Sequence, residues 1–230
     1  VTSSKTVTYT MASPSAELAV LIKAVETADS KAGIVQAVRA LSAANHPEAV
    51  PTLIEVLGYN NPGAAVAATE GLVSLGAVAV PALLEQLDGH NYGARAWAIR
   101  ALALIQDPRA LNVLVETARG DFALSVRRAA AKGLGTLNWS KLPKAAVEAA
   151  QAEALTTLIE TLADPEWVVR YAAVVGLQAL ALASASAADR IGAALETAVE
   201  QDLVLAVQAR AQMALDNLNE NCSTGMETQE

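Results

Sequence analysis

The chain has 230 residues, enough for one or two domains and a sizeable core, and it is 53% hydrophobic but only 3% aromatic. Alanine at this density, without long β-branched runs, favours helix throughout. A net charge of −8 opposes binding to nucleic acid, where phosphate contacts need clustered Lys and Arg.

The first residues, VTSSKTVTYT, lack the basic and then apolar pattern of a signal peptide. Met11 is the candidate start of the native chain. Residues 1–13 are expected to be a flexible segment, 14–218 a single repeat solenoid, and 219–230 a flexible polar tail. No stretch approaches about 18 uninterrupted apolar residues, so no membrane span is expected. The lone cysteine, Cys222, excludes an internal disulfide and gives no sign of an oxidising compartment. These features point to the cytoplasm.

Between the two ends the chain repeats itself. A small residue followed by leucine closes successive helical runs at Ala40-Leu41, Gly71-Leu72, Ala101-Leu102, Gly133-Leu134, Gly176-Leu177 and Ala214-Leu215. The leucines are 31, 30, 32, 43 and 38 residues apart. A small residue on that face lets neighbouring helices approach closely. A second helix precedes most of these, in AVPTLIEVL (49–57), AVPALLEQL (79–87), ALNVLVETA (110–118) and ALTTLIETL (154–162). Turn signals stand between them: GYNNPG, LDGHNYG, QDPRA and ADPEW, where Asp or Asn supplies a helix cap and proline fits the first turn. The longer step carries NWSKLPKAAVEAAQAEA, an insertion expected to be a loop or an extended helix. Two helices per roughly 31 residues predicts an all-α fold. The expected architecture is an α-solenoid of about five to six helix-turn-helix repeats, wound as a right-handed superhelix.

The repeat is also a control for unusual residues. Seven positions before the marker leucine stand Arg95, Arg127 and Arg170, with Ile34, Ala65 and Gln208 elsewhere. An arginine recurring at one position is expected to be structural, pairing with turn aspartates such as Asp107 or Asp164. Trp97 stands where four of the other five repeats have Ala or Gln, and Arg128 and Tyr171 where most have Val or Ala. Tyr92 and Trp167 share a position ten before the leucine. On the helix of residues 91–105, Ala94, Ala98, Ala101, Leu102 and Ile105 form the buried face, with Tyr92 and Arg100 pointing away and Trp97 on the flank. Each residue also has a bland reading. Trp97 would be a rim contact, Tyr92 and Trp167 hydrophobic staples, and Arg100, Arg128 and Lys132 a solvated face.

Self-sufficient chemistry is missing. His46 and His90 are far apart, both in turns and without a cysteine partner, so no metal site is expected. There is no nucleophile elbow, phosphate loop or dinucleotide fingerprint. Gly133 and Gly135 in KGLGTLNW read as helix-packing and helix-ending glycines.

Residues 91–143 carry YGARAWAIRALA, DPRAL, DFALSVRRAAAKGLG and the tryptophan of LNW. This block resembles the HEAT-like repeats of phycobilin lyases of the E/F type, and within them the smaller F-type subunit. Membership would imply a cyanobacterial lyase active only as a heterodimer with an E-type subunit. That pair attaches phycocyanobilin, as substrate, to a cysteine of the apo-phycocyanin α subunit through a thioether. The thiol then comes from the apoprotein and the electrophile is the bilin's ethylidene group. No tightly bound cofactor is implied. Some relatives also isomerise the bilin and carry an Asn-His-Cys-Gln-Gly-Asn run, which is absent here.

An open-chain tetrapyrrole offers a long π-system, two propionates and protonatable pyrrole nitrogens. Arginine suits propionates because its planar fork bonds a carboxylate at two points. Trp97, Tyr92 and Trp139 are candidates to stack on the π-system, and Asp121 to face the pyrrole nitrogens or to cap a helix. The candidates for bilin binding or partner docking are therefore Tyr92, Trp97, Arg100, Asp121, Arg128, Trp139, Trp167 and Tyr171. The competing function is a HEAT-repeat protein–protein scaffold without pigment chemistry. A HEAT-type DNA glycosylase is disfavoured, because no basic stripe crosses the repeats.

Overall fold

The computed structural model describes residues 16–88 and 91–226. Among the described residues there are twelve α-helices and no strand. They run in six pairs: α1 (Ala16–Glu26) with α2 (Lys31–Ala43), α3 (Val50–Leu57) with α4 (Pro62–Leu75), and α5 (Val80–Glu85) with α6 (Tyr92–Ile105). α7 (Leu111–Gly120) pairs with α8 (Leu124–Gly135), α9 (Lys144–Thr161) with α10 (Trp167–Ala183), and α11 (Ala188–Gln201) with α12 (Leu205–Met226). Each marker leucine falls on the second helix of its pair. Leu41, Leu72, Leu102, Leu134 and Leu177 are fully buried.

The second helices form one continuous layer, with α2 on α4, α4 on α6, α6 on α8, α8 on α10 and α10 on α12. The small residues beside the leucines make this layering possible. A Cβ added to Gly176 would lie 2.6 Å from the Ala131 carbonyl oxygen, and one added to Gly133 would lie 2.6 Å from the Ala103 Cβ. A Cβ on Gly135 would be driven into the Gly176 carbonyl. α8 and α10 therefore touch backbone to backbone.

Caps define where the helices start. The Asn61 side chain accepts from Ala64 N at 3.2 Å, ahead of Pro62, and Asn91 accepts from Ala94 N at 3.1 Å. His46 caps the short turn Pro47–Ala49, accepting from Glu48 N, which gives it a local structural role. His90 lies outside the described residues, as do residues 1–13 and 227–230. The insertion resolves into a 3-10 turn, Trp139–Lys141, and then the long helix α9. α12 continues to Met226, past residue 218 where the tail was expected to begin.

On α6 the buried face is wider than the expected arc. Ala94, Ala98, Ala101 and Leu102 are buried, but so are Ile99 and Ala103, while Ile105 is only half-buried. α6 lies between α4 and α8 in the second layer and also meets α3 and α5, so it is enclosed on several sides.

Candidate functional site

The recurring arginines knit consecutive repeats together. Arg95 on α6 bonds Asp121 in the turn before α8. Arg127 on α8 reaches Asp164 before α10 with bonds of 2.7 and 3.0 Å. Arg170 on α10 reaches Asp202 before α12 with bonds of 2.7 and 2.9 Å. Each aspartate also caps its own turn, accepting from Ala123 N, Glu166 N and Val204 N respectively. Arg127 and Arg170 further donate to the Asp121 and Asp164 carbonyls, and Gln208, at the same repeat position, donates to the Asp202 carbonyl. Arginine thus recurs there because one fork holds its own turn and the next one.

Pairing lifts the Arg127 and Arg170 guanidinium pKa above the ordinary value, chiefly through the hydrogen bonds to Asp164 and Asp202. Hydrogen bonding to Arg170 likewise lowers the Asp202 carboxyl. Asp107 does not join this ladder. It pairs with Arg109 of its own loop and stands 3.6 Å from Lys141, while Arg109 donates to the Ala77 carbonyl of the preceding inter-repeat loop.

Arg100, Arg128 and Lys132 stand outside this ladder. None of them has a carboxylate in ion-pairing distance among the described residues. All three line one groove of about 750 Å³ cut into the second-helix layer. α6 contributes Arg100, Ala103 and Leu104, and α8 contributes Ser125, Arg128, Ala129, Lys132 and Gly133. α10 contributes Trp167, Val168, Tyr171, Ala172 and Val175. The floor is made of the small residues that let the helices close up, so the same packing rule that builds the layer hollows it. Its cations come from α6 and α8, and its aromatic side chains from α10.

Arg100 is held in place by Trp97, whose ring centroid lies 4.6 Å from the guanidinium carbon. This cation–π contact is the role of the half-buried Trp97, which is not itself a lining residue. Burial and then the nearby positive charge of Arg128 push the Arg100 pKa down. Two cations kept close without a counter-ion make an electrostatic site for an anion. Gln106 closes the α6 end in the left-handed region, φ 59°, and accepts from Asn138 N through its carbonyl.

Other candidates lie elsewhere. Trp139, in the first turn of the insertion, is buried at 6% exposure, so its ring is core. Its indole N–H finds no acceptor among the described residues. Asp121 is buried, and its oxygens are taken by Arg95 and Ala123 N, so it acts as a cap and ladder rung. Tyr92 is exposed at the start of α6 and meets the Phe122 ring edge-on, 5.7 Å between centroids. Lys132 joins Arg100 and Arg128 in the groove, although the three also read as a solvated face. It stands two before its marker leucine, as Arg100 does.

Among the described residues no cysteine or histidine lines the groove, and its hydroxyls come from Ser125, Thr136 and Tyr171. Among the described residues no cluster of three or more His, Cys, Asp or Glu stands ready for a metal ion. No described helix is long and apolar enough to cross a membrane. The groove therefore combines cationic side chains with an apolar and aromatic surface.

Comparison with known proteins follows the same lines. Residues 18–92 and 80–148 match the family described as HEAT repeats. The chain is 54% identical over 202 residues to the phycocyanin alpha phycocyanobilin lyase CpcF of Synechocystis sp. (strain ATCC 27184 / PCC 6803 / Kazusa), across 88% of this chain and 94% of that protein. It is 53% identical over 208 residues to a phycocyanobilin lyase subunit beta of Pseudanabaena tenuis (strain PCC 7409), across 88% of this chain and 74% of that one. Among solved structures, a chain of the complex of CpcE and CpcF of phycocyanin lyase from Nostoc sp. PCC7120 superposes with a TM-score of 0.69. That chain is 53% identical, and the match covers 73% of this chain and 98% of it. An engineered protein at 22% identity and a TM-score of 0.55 shares the fold. The likeness therefore extends well beyond residues 91–143, and the chain belongs to the HEAT-repeat proteins and, among them, to the F-type subunits of the phycocyanobilin lyases.

Proposed function

We propose that this chain is the F-type subunit of a heterodimeric bilin lyase, and that its groove holds phycocyanobilin while a cysteine of apo-phycocyanin α adds to it. The carrying observation is that Arg100, Arg128 and Lys132, none of them ion-paired, line one groove with Trp167 and Tyr171. A linear tetrapyrrole bears two carboxylates and a flat conjugated body. Arginine forks meet the carboxylates, and the aromatic side chains meet the body.

Among the described residues the groove supplies no thiol, which suits a reaction whose thiol arrives with the acceptor protein. The thiol adds across the ethylidene double bond: a C–S bond forms, and the thiol proton ends on the bilin. No oxidant is consumed and no group leaves. The subunit's contribution is to fix the ethylidene carbon against the incoming sulfur, where orientation alone is worth several orders of magnitude in rate. It does this with no tightly bound cofactor, in the cytoplasm, as one continuous solenoid over residues 14–218. The E-type subunit is required for activity.

The test is co-expression with the E-type subunit, apo-phycocyanin α and phycocyanobilin. The expected product is a covalent, red-absorbing adduct, reduced at least tenfold by Arg100→Ala with Arg128→Ala while the heterodimer still co-purifies. Failure of the wild-type set to form adduct overturns the function. Normal adduct yield from the double variant overturns the site.

A further inference from the structure

A second surface is written into the repeat and holds none of the groove's cations. Ten positions before the marker leucine, the last four repeats carry Tyr92, Leu124, Trp167 and Leu205, where the first two have Lys31 and Pro62. Two residues earlier, Phe122 and Leu203 occupy equivalent places. All six stand at the turn that leads into a second helix, and all six are exposed, Leu203 at 97% and Phe122 at 74%. Of the thirteen large apolar side chains exposed along the described chain, these six fall on a single edge.

The edge follows the repeats one after another, and its turns are pinned. The Tyr92 and Phe122 rings touch across two repeats. Beneath them runs the Arg–Asp ladder, which pins the turns that display the row. At roughly 200 Å² per large side chain, about two-thirds exposed, the six offer on the order of 800 Å². That is the share one partner contributes to a standard protein interface, and it exceeds the apolar patch of an ordinary monomer.

The geometry points to this ridge as the surface that docks the E-type subunit, an identification of the partner that rests on the function proposed above. Three observations choose this occupant. Trp167 belongs to both the ridge and the groove, so a protein seated here also walls one end of the bilin site. A lasting subunit suits so apolar a surface, whereas the acceptor protein must leave after each turnover. A second copy is disfavoured by charge: exposed Glu166 and Glu200 flank the row, and two chains of net charge −8 repel. The fitting partner presents an apolar stripe bordered by Lys and Arg.

The test uses the full chain and its E-type subunit, with association measured by sedimentation and folding by circular dichroism. Phe122→Ser, Leu203→Ser and Leu205→Ser together are expected to weaken the heterodimer at least tenfold while helicity and Tm are kept. Leu182→Ser with Met213→Ser removes exposed apolar side chains outside the row and is expected to change nothing. If the triple variant loses helicity, Leu203→Lys alone decides, because that side chain has almost no packing to lose. Unchanged affinity of the ridge variant, or equal weakening by the control pair, overturns the ridge while the lyase reading stands. Self-association of the wild type, abolished by the ridge variant, assigns the ridge to a second copy and overturns the E-type assignment. Complete failure of the wild-type chain to bind the E-type subunit overturns both.

Discussion

Arg127 and Asp164 meet fork to fork, 2.7 and 3.0 Å apart, with about a tenth of each side chain exposed. One residue is on a helix and the other in the next repeat's turn, so the pair fixes one repeat against another. Removing one partner strands a buried charge, which costs about 3–5 kcal/mol. Asp164→Ala should therefore lower the urea midpoint sharply. Arg127→Lys, which keeps the charge but loses the fork, should recover only part of the stability. Equal midpoints for Asp164→Ala and the wild type would reject the ladder as a stabilising element.

Gly135 faces the Gly176 backbone with no room for a methyl group, while Gly120 has nothing within 4 Å of an added Cβ. Gly135→Ala should push α8 from α10 and cost about 3 kcal/mol or more, in the upper range of overpacking. Gly120→Ala, at the end of α7, should be neutral within about 1 kcal/mol. Thermal melting of the two variants side by side separates helix propensity, which favours alanine in both, from packing.

Asp107 carries a pH signature. The hydrogen bond from Arg109 holds its carboxyl at about 2, against an ordinary value near 3.8. A depressed folded-state pKa means that the stabilisation is fully present above about pH 4 and fades as the pH falls towards 2. Discounted for the water around Arg109, it is worth roughly 1–2 kcal/mol. Asp107→Asn keeps the cap oxygen and removes the charge. Its unfolding free energy should trail the wild type by that amount at pH 6 and converge with it near pH 2. A gap independent of pH would refute the assignment.

If the cations of the groove read propionates, the dimethyl ester of phycocyanobilin should bind at least about tenfold more weakly than the free diacid. Arg100→Ala with Arg128→Ala should erase most of that difference, because the variant no longer distinguishes acid from ester. Absorbance titrations of the heterodimer with both ligands give the four affinities. Equal discrimination by wild type and variant would place the carboxylates elsewhere.

Trp97 should act on the groove through Arg100. Trp97→Leu keeps apolar bulk but removes the cation–π contact, worth about 0.5–2 kcal/mol. The expected result is weaker binding of the diacid with little change for the ester. An equal loss for both ligands would instead mark Trp97 as a packing residue.

The helix-pair repeat and the packing role of Gly71, Gly133 and Gly176 were legible from spacing, because a helix's buried face is a local property of its own residues; the ends of α9 and α12 were not. The arginines at one repeat position were legible for the same reason, although their partners were only half so: Asp164 was foreseen for the ladder, while Asp107 pairs within its own loop and Asp121 and Asp202 take the other rungs. The site was less legible. Trp139 read as a candidate for the pigment or the partner, yet packing buries it; Asp121 read as that or as a helix cap, and it caps the turn while Arg95 takes its other oxygen. Lys132 read as one of three cations on a solvated face.

The sequence by itself determined an all-helical stack of repeats and the chemistry available to it: arginines and aromatics without a nucleophile. Only the tertiary structure decided which of these side chains meet. Arg100, Arg128 and Trp167 lie on three different helices, and they face one groove because Gly133, Gly135 and Gly176 allow those helices to touch. Periodicity along a chain fixes which way each helix turns its face; the distance of closest approach between helices fixes what those faces enclose.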